Sequence, residues 1–493
     1  MIGQTLLRVA GERGDAPALF FEGRSWTYCL LAERALRWAA VLARAVDTGG
    51  VRPVAVQLPN TPDYAAAVVA LMILGIPLLP VHPQWRPGEA ASSLGNLGLA
   101  GILASEADLP RWREVPAFAS VALIGVEALR RHAEQAIPIS AAELGDTTDG
   151  DRPALYLMTS GTTGTPKTVV RSRNNLLANA RHVGQTLGWA ADQRILPVTP
   201  FHHANGFSNG LLLPLLRGSC IVILERFFPV TLARLIHDAR VDALIASPVV
   251  YRALLSCDEG PGALRLLRQS LSSGAPLPRE VADMAVRRAG VQIRELYGSS
   301  EAGTVSIEPD RGAEGPRSAG RPLPGVEVAI LSDDGQALPR GEEGHVAVRS
   351  PAVMQGYWTP GGIDPARTVE GWFLIGDRGF LDAGGDLHLR GRLRGFINVG
   401  GSKVDPGEIE SALRDLEGVA RCRVLGRRDD RGGEEVCAFL VLRPGSSLDR
   451  AAVLAHLRLR LAEYKLPRRI EFEEYDAPAL PDKHATPSEP FQR

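Results

Sequence analysis

Residues 154–167 read Ala-Leu-Tyr-Leu-Met-Thr-Ser-Gly-Thr-Thr-Gly-Thr-Pro-Lys. The apolar opening, 154–158, has the length of a buried strand. It runs straight into Thr159, Ser160, Gly161, Thr162, Thr163, Gly164, Thr165, Pro166 and Lys167. Glycines let backbone N–H groups approach phosphate oxygens, the hydroxyls add donors, and Lys167 adds a compact positive charge. A strand feeding such a loop reads as a phosphate cradle, because flexible Ser/Thr/Gly linkers do not usually follow a buried strand and end in Pro-Lys. The order is not GxxxxGK[ST], which disfavours a standard P-loop kinase or motor ATPase.

Around this loop, residues from about 50 to 250 alternate short apolar or β-branched runs with apolar-periodic stretches. The pattern predicts strands at 51–58, 77–81, 154–158, 220–224 and 243–247, with helices at 63–74, 231–239 and 279–288. Such alternation implies a mainly parallel sheet covered by helices. From about 317 to 390 short strands with turn signals take over, at 326–331 and 344–349 around Asp333-Asp334-Gly335. After Gly391 a unit of about 100 residues is expected to be α+β. Its strands are expected at 396–399, 422–426, 436–442 and 469–473, and its helices at 406–416 and 450–462. The expectation is an α/β protein with a large N-terminal domain, 1–391, of helix-covered sheets with a β-rich subdomain. A small mobile α+β lid, 392–493, follows.

Composition bounds the function. With 493 residues, 45% hydrophobic and 23% charged, the chain reads as a multidomain globular protein. A formal net charge of -1 provides no global field for nucleic acid or an anionic membrane, so neither partner is expected. The apolar run 65–81 is too short for a membrane span and is broken by Gly75 and Pro77. Cys29, Cys220, Cys257, Cys422 and Cys437 form no CxxC pair, which argues against a disulfide framework or a zinc site and fits a reducing cytoplasm. Of 55 basic residues only Lys167, Lys403, Lys465 and Lys483 are lysine. Lysines that persist under such an arginine bias are candidates for positions that need a compact amine.

Taken together, the motifs resemble the adenylate-forming superfamily of acyl-CoA synthetases, aryl-CoA ligases, luciferases and peptide-synthetase adenylation domains, over most of the chain. The resemblance implies that Thr159–Lys167 grips the triphosphate of ATP. Leu271-Ser-Ser-Gly274-Ala275-Pro276-Leu277 is similar to the adenine-stacking loop, and Tyr297-Gly298-Ser299-Ser300-Glu301 to Tyr-Gly-x-Thr-Glu. There the tyrosine borders adenine and Glu301, with Thr163, holds Mg²⁺. Gly371-Trp-Phe-Leu-Ile-Gly-Asp377 matches the block whose aspartate accepts from both ribose hydroxyls, with Ile375 in place of threonine. Arg392 resembles the ribose-binding arginine, and Arg394 the hinge position. Gly400-Gly401 resembles the segment lining the pantetheine tunnel, where paired glycines leave room for a thiol. His203, within Pro200-Phe-His-His-Ala-Asn-Gly206, sits where a histidine gates the carboxylate site. Phe207, Ser208, Val249, Tyr251 and Ser272 are candidate pocket walls, suggesting an uncharged or aromatic acyl group.

The resemblance implies that a small-molecule carboxylic acid attacks the ATP α-phosphorus and that the acyl-adenylate then meets a thiol of coenzyme A or of carrier-protein phosphopantetheine. The protein would be a monomer or homodimer. One departure bears on the first step. The family carries a lysine near the C-terminus in Leu-Pro-x-x-x-x-Gly-Lys, and reading from Leu480-Pro481 its position holds Pro487. Lys483, four residues upstream, is the candidate replacement. A stand-alone enzyme loading a carrier protein and a weakly catalytic nucleotide-binding homologue both stay open.

Overall fold

The computed structural model describes residues 2–47, 51–95, 97–139, 149–159, 167–312, 317–392, 397–400, 402–429, 433–443 and 445–473. These fall into two compact units. The first comprises Met1–Pro83, Asn96–Met158 and Thr168–Leu393, and the second comprises Gln84–Gly95, Thr159–Lys167 and Arg394–Arg493. The chain thus changes unit at 393/394, two residues past the expected boundary. The two excursions into the second unit have no counterpart in the sequence reading, because grouping by tertiary contact leaves no compositional mark.

Among the described residues the first unit contains three sheets. An eight-stranded sheet runs, in order, Gly362–Pro365, Gly356–Thr359, Lys167–Ser172, Pro153–Thr159, Leu78–Pro80, Val54–Gln57, Gly101–Ala104 and Ala122–Gly125. The pairs from Pro153–Thr159 to Ala122–Gly125 are parallel, as the alternating pattern implied, and Gly356–Thr359 pairs antiparallel with Lys167–Ser172. A nine-stranded sheet is built around the parallel strands Ile293–Ser299, Gln269–Ser272, Ala243–Ala246, Arg194–Pro197 and Cys220–Val222. The β-rich stretch forms a third, antiparallel sheet around Gly344–Arg349 and Trp372–Leu381. The division into three sheets was not expected, since strand spacing along the chain carries no information on which strands pair.

The apolar run 65–81 falls in the helix Pro62–Leu74, buried along almost its whole length, and the strand Leu78–Pro80 that follows it. Thr61 caps its first turn and Gly75, at φ 69°, ends it, as a left-handed residue does without steric cost. No helix among the described residues is long and apolar enough to cross a membrane.

The second unit pairs Val419–Arg428 antiparallel with Glu434–Leu442, which pairs parallel with Arg469–Glu473. The helices Pro406–Arg414 and Arg450–Arg458 pack with these strands around Ile409, Leu413, Val424, Leu440, Val453 and Leu457. The helices stop two and four residues before the expected ends, at Arg414 and Arg458. The strand expected at 422–426 extends to Val419–Arg428, because pairing with Glu434–Leu442 recruits polar residues that periodicity leaves out.

Candidate active site

The hairpin made by Ile293–Ser299 and Gly303–Ile307 supplies the tyrosine and the glutamate of the expected nucleotide site. Gly298 is required at its place, since a Cβ there would lie 2.1 Å from the Gly303 carbonyl oxygen. Tyr297 precedes it and turns its ring into the core, leaving the residue 8% exposed. Its hydroxyl donates to Asp377 Oδ2 over 2.6 Å. Two motifs 80 residues apart therefore meet. Asp377 lies on the strand Trp372–Leu381, is 4% exposed, and pairs through its backbone with Arg392.

At the hairpin tip Ser299 Oγ accepts the Ala302 N–H at 3.0 Å, with Ser300 in the turn between. Glu301 is fixed at two points. Its carbonyl accepts the Met354 N–H at 2.7 Å, and its Oε1 accepts the Tyr357 hydroxyl at 3.2 Å. Tyr357 belongs to Gly356–Thr359, which pairs antiparallel with Lys167–Ser172, the strand leaving the phosphate loop. On that strand Arg171 is wholly buried, donating to the Ala352 carbonyl at 2.8 Å. Burial lowers its guanidinium to about 10, and the nearby Glu301 charge opposes the shift. A hard cation is compatible with this corner. Among the described residues no group of three or more His, Cys, Asp or Glu could hold a metal, and Mg²⁺ needs few protein ligands when phosphate oxygens and water supply the rest.

The ends of the phosphate loop meet in the second unit, where Thr159 Oγ1 donates to the Lys167 carbonyl at 3.2 Å. Ser160, Gly161, Thr162, Thr163 and Gly164 lie outside the described residues, as do Arg394, Gly401 and Lys483 and the side chain of Arg392. Gly400 is described, with φ 60° in a left-handed turn between Ile397–Val399 and Ser402–Val404. Lys465, one of the four lysines, is 4% exposed and reaches both Glu408 oxygens at 2.8 and 2.9 Å.

In the adenine-loop segment Gly274 has φ 88°, a left-handed conformation that favours glycine, and Ala275 and Pro276 follow it towards the helix Arg279–Ala289. The loop starts at the strand Gln269–Ser272, whose Ser272 is in register with Glu295. It ends at Leu277, whose N–H donates to Glu295 Oε2 at 2.9 Å.

His203 follows Pro200 in a turn closed by its own N–H to the Pro200 carbonyl at 3.0 Å. Beyond it, Gly206–Leu212 is π-helical, a form that concentrates at functional sites. His203 is one of three close imidazoles. The His82 and His202 rings are 4.4 Å apart between centroids, and those of His202 and His203 4.5 Å. Burial holds His202 well below the usual histidine range, and the His203 and His82 charges push the same way. Neither His82 nor His202 was singled out from sequence, although the His-His pair was visible.

Sequence reading also missed a buried amide chain. Asn205 donates to Ser273 Oγ at 2.6 Å, Asn209 to Asn205 Oδ1 at 2.7 Å and Thr304 Oγ1 at 2.9 Å, and Asn179 to Asn209 Oδ1 at 3.1 Å. It ties the segment after His203 to the adenine loop and to the Tyr297 hairpin. No signal could have revealed it, because isolated asparagines far apart in sequence read as turn residues. Among the expected pocket walls, Phe207, Ser208 and Ser272 are buried and Val249 is partly exposed. Tyr251 is a correction. Wholly buried, its hydroxyl lies 3.0 and 3.1 Å from the Leu244 and Leu271 carbonyl oxygens, its one proton shared between them, and so joins two strands as part of the core.

Comparison with known proteins agrees with this geometry. Feruloyl-CoA synthase of an Amycolatopsis species is 31% identical over 485 residues, covering 96% of this chain and 95% of that protein. A solved structure of o-succinylbenzoate CoA synthetase from Bacillus subtilis, a double mutant with a product analogue, superposes with a TM-score of 0.84 at 26% identity, covering 97% and 95% of the two chains. The amide bond synthetase McbA of Marinactinospora thermotolerans gives 0.82 at 28% identity, with 97% of each chain covered. The model of the AMP-binding enzyme family matches residues 6–358 and that of the AMP-binding enzyme C-terminal domain residues 408–479, so the chain belongs to the AMP-binding, adenylate-forming enzyme family.

Proposed function

We propose that this protein is an AMP-forming acid–thiol ligase that converts a carboxylic acid to an acyl-adenylate with ATP and passes the acyl group to coenzyme A. The observation that carries the reading is the Tyr297 hydroxyl on Asp377, which joins the adenine and ribose motifs of one nucleotide site. In the first step a carboxylate oxygen of the acid attacks the α-phosphorus, the bond to the β-phosphate oxygen breaks, and pyrophosphate leaves. In the second, a thiolate attacks the acyl carbon of the mixed anhydride and AMP leaves.

Each residue has a part in this reading. Thr159 to Gly164 and Lys167 hold the phosphates, so that charge gathering on their oxygens meets fixed donors. Gly274, Ala275, Pro276 and Tyr297 bound the adenine, with Gly298, Ser299 and Ser300 shaping the turn. Asp377 and Arg392 take the ribose. Glu301 and Thr163 would hold Mg²⁺, which supplies positive charge against the phosphate oxygens. His203 meets the acid, Arg394 serves as hinge, and Gly400 and Gly401 leave room for pantetheine. Residues 1–391 form the catalytic domain and 392–493 the lid. An aromatic or otherwise uncharged acid fits best, in keeping with the feruloyl substrate named for the Amycolatopsis relative.

The test is pyrophosphate release with a panel of aryl and medium-chain acids, with and without coenzyme A. Acid-dependent release followed by thioester is expected, and no release from any acid would refute the reading. Release without thioester, then turnover with a holo carrier protein, would assign a carrier-loading enzyme. The likeness to McbA favours one further acceptor, and amide formed with an added amine in place of coenzyme A would identify it. In the same assay Lys483→Ala is expected to lower adenylation at least tenfold, and undiminished release would remove Lys483 from the chemistry.

A further inference from the structure

Under the adenine-loop segment lies an acidic pair that the reaction does not use, Glu295 half-buried and Glu308 wholly buried. Glu295 sits on Ile293–Ser299, two residues before Tyr297 and so on the same face of that strand. Its backbone is in register with Ser272, where the loop begins, and its carboxylate accepts the Leu277 N–H at 2.9 Å, where the loop ends. One residue therefore holds both ends of the loop that carries Gly274, Ala275 and Pro276. We propose that Glu295 is a positioning residue of the nucleotide site, stapling this loop to the strand that presents Tyr297 and thereby setting the width of the adenine slot.

The surroundings make the staple sensitive to protons. Burial raises the Glu295 carboxyl to about 7, the Leu277 N–H opposes that shift, Glu308 adds to it and Arg317 opposes it. Among the described residues the charged groups acting on it are Glu308 and Arg317. Glu308 follows Gly303–Ile307, is wholly buried, and pairs with Arg317 at 3.1 Å. Its Oε2 accepts the Glu295 backbone N–H at 3.1 Å, so the Glu308 carboxylate is held against the Glu295 backbone. Above neutral pH the staple is an N–H donating to a carboxylate. Below it, the same N–H meets a neutral carboxyl, a bond about half as strong.

The inference rests on the nucleotide-site reading above, and the experiment separates the two. KM for ATP is measured from pH 6 to 8 at saturating acid, for the parent, Glu295→Gln and Glu295→Ala. Titration of ATP itself moves all three alike. In the parent, KM for ATP is expected to rise about fivefold as pH falls through 7, with kcat following a separate profile. Glu295→Gln keeps a neutral acceptor and should lose that step while holding the parent's low-pH KM. Glu295→Ala should raise KM for ATP about tenfold at every pH, with KM for the acid unchanged. A Glu295→Gln profile that retains the parent's step, or a Glu295→Ala enzyme with the parent's KM for ATP, would overturn the proposal. If the parent releases no pyrophosphate, the functional reading fails, and hydrogen exchange at the Leu277 amide then decides the staple: about tenfold faster exchange in Glu295→Ala supports it, and unchanged exchange refutes it.

Discussion

Replacing Tyr297 by phenylalanine removes one oxygen and leaves the ring volume in place. The lost contact is the 2.6 Å hydrogen bond to Asp377 Oδ2, between residues that are 8% and 4% exposed. A hydroxyl donating to a carboxylate at that separation is in the strong, charge-assisted range, and such bonds contribute about 1.5–3 kcal/mol. Asp377 keeps a further interaction, so its carboxylate is weakened in position rather than orphaned. At 1.4 kcal/mol per tenfold, the loss converts to a fall of about 10- to 150-fold in kcat/KM for ATP if Asp377 must be held still to meet the ribose. Urea unfolding should show a comparable loss of stability. The decisive assay is pyrophosphate release against ATP at saturating acid, then against acid at saturating ATP. KM for ATP is expected to carry the effect while KM for the acid stays within about twofold. An enzyme destabilised by the expected amount yet unchanged towards ATP would refute the coupling of Tyr297 to the nucleotide through Asp377.

Two predictions concern stability. His202 is held below the usual histidine pKa by burial and by two neighbouring imidazoles, so the unfolded chain takes up its proton first as pH falls. Stability should therefore decline on acidification below about pH 6.5, with a slope of up to about 1.4 kcal/mol per pH unit. In His202→Phe, urea midpoints at pH 5 and pH 7 should converge relative to the parent, and an unaltered gap would refute the assignment. In the second unit, Lys465→Met strands the Glu408 carboxylate and should cost about 3–5 kcal/mol. The double variant Lys465→Met with Glu408→Leu should recover most of that in a double-mutant cycle, and additive losses would show that the pair does not interact.

Local chemistry made much of the architecture legible. Apolar periodicity placed the helix Pro62–Leu74 to within a residue, and Thr61, Pro62 and Gly75 are the start and stop residues that set its ends. The strand Gly344–Arg349 falls where it was expected, with Gly344, Val346 and Val348 on one buried face, because period two reports such a face. Where pairing rather than pattern sets an end, as at Val419–Arg428, reading along the chain stopped short. Tyr251 shows the opposite failure. A tyrosine near a substrate motif resembles a pocket wall until its hydroxyl is found on two core carbonyls.

By itself, then, the order of residues determined which segments can cradle phosphate, bend at glycine or bury an apolar face, since these depend on a few adjacent side chains and on backbone sterics. It could thus nominate Thr159 to Lys167, Tyr297, Glu301 and Asp377 one motif at a time. Only the tertiary structure decided that Tyr297 reaches Asp377, that Tyr357 and Arg171 attend Glu301, that three imidazoles gather edge-on and tilted at the acid segment, and that Glu295 grips both ends of the loop at Gly274. Each of these is a contact between strands or loops distant in sequence. Hydrogen bonds and Coulomb forces act over a few ångströms of space, and chain order does not encode that proximity until the sheets have assembled.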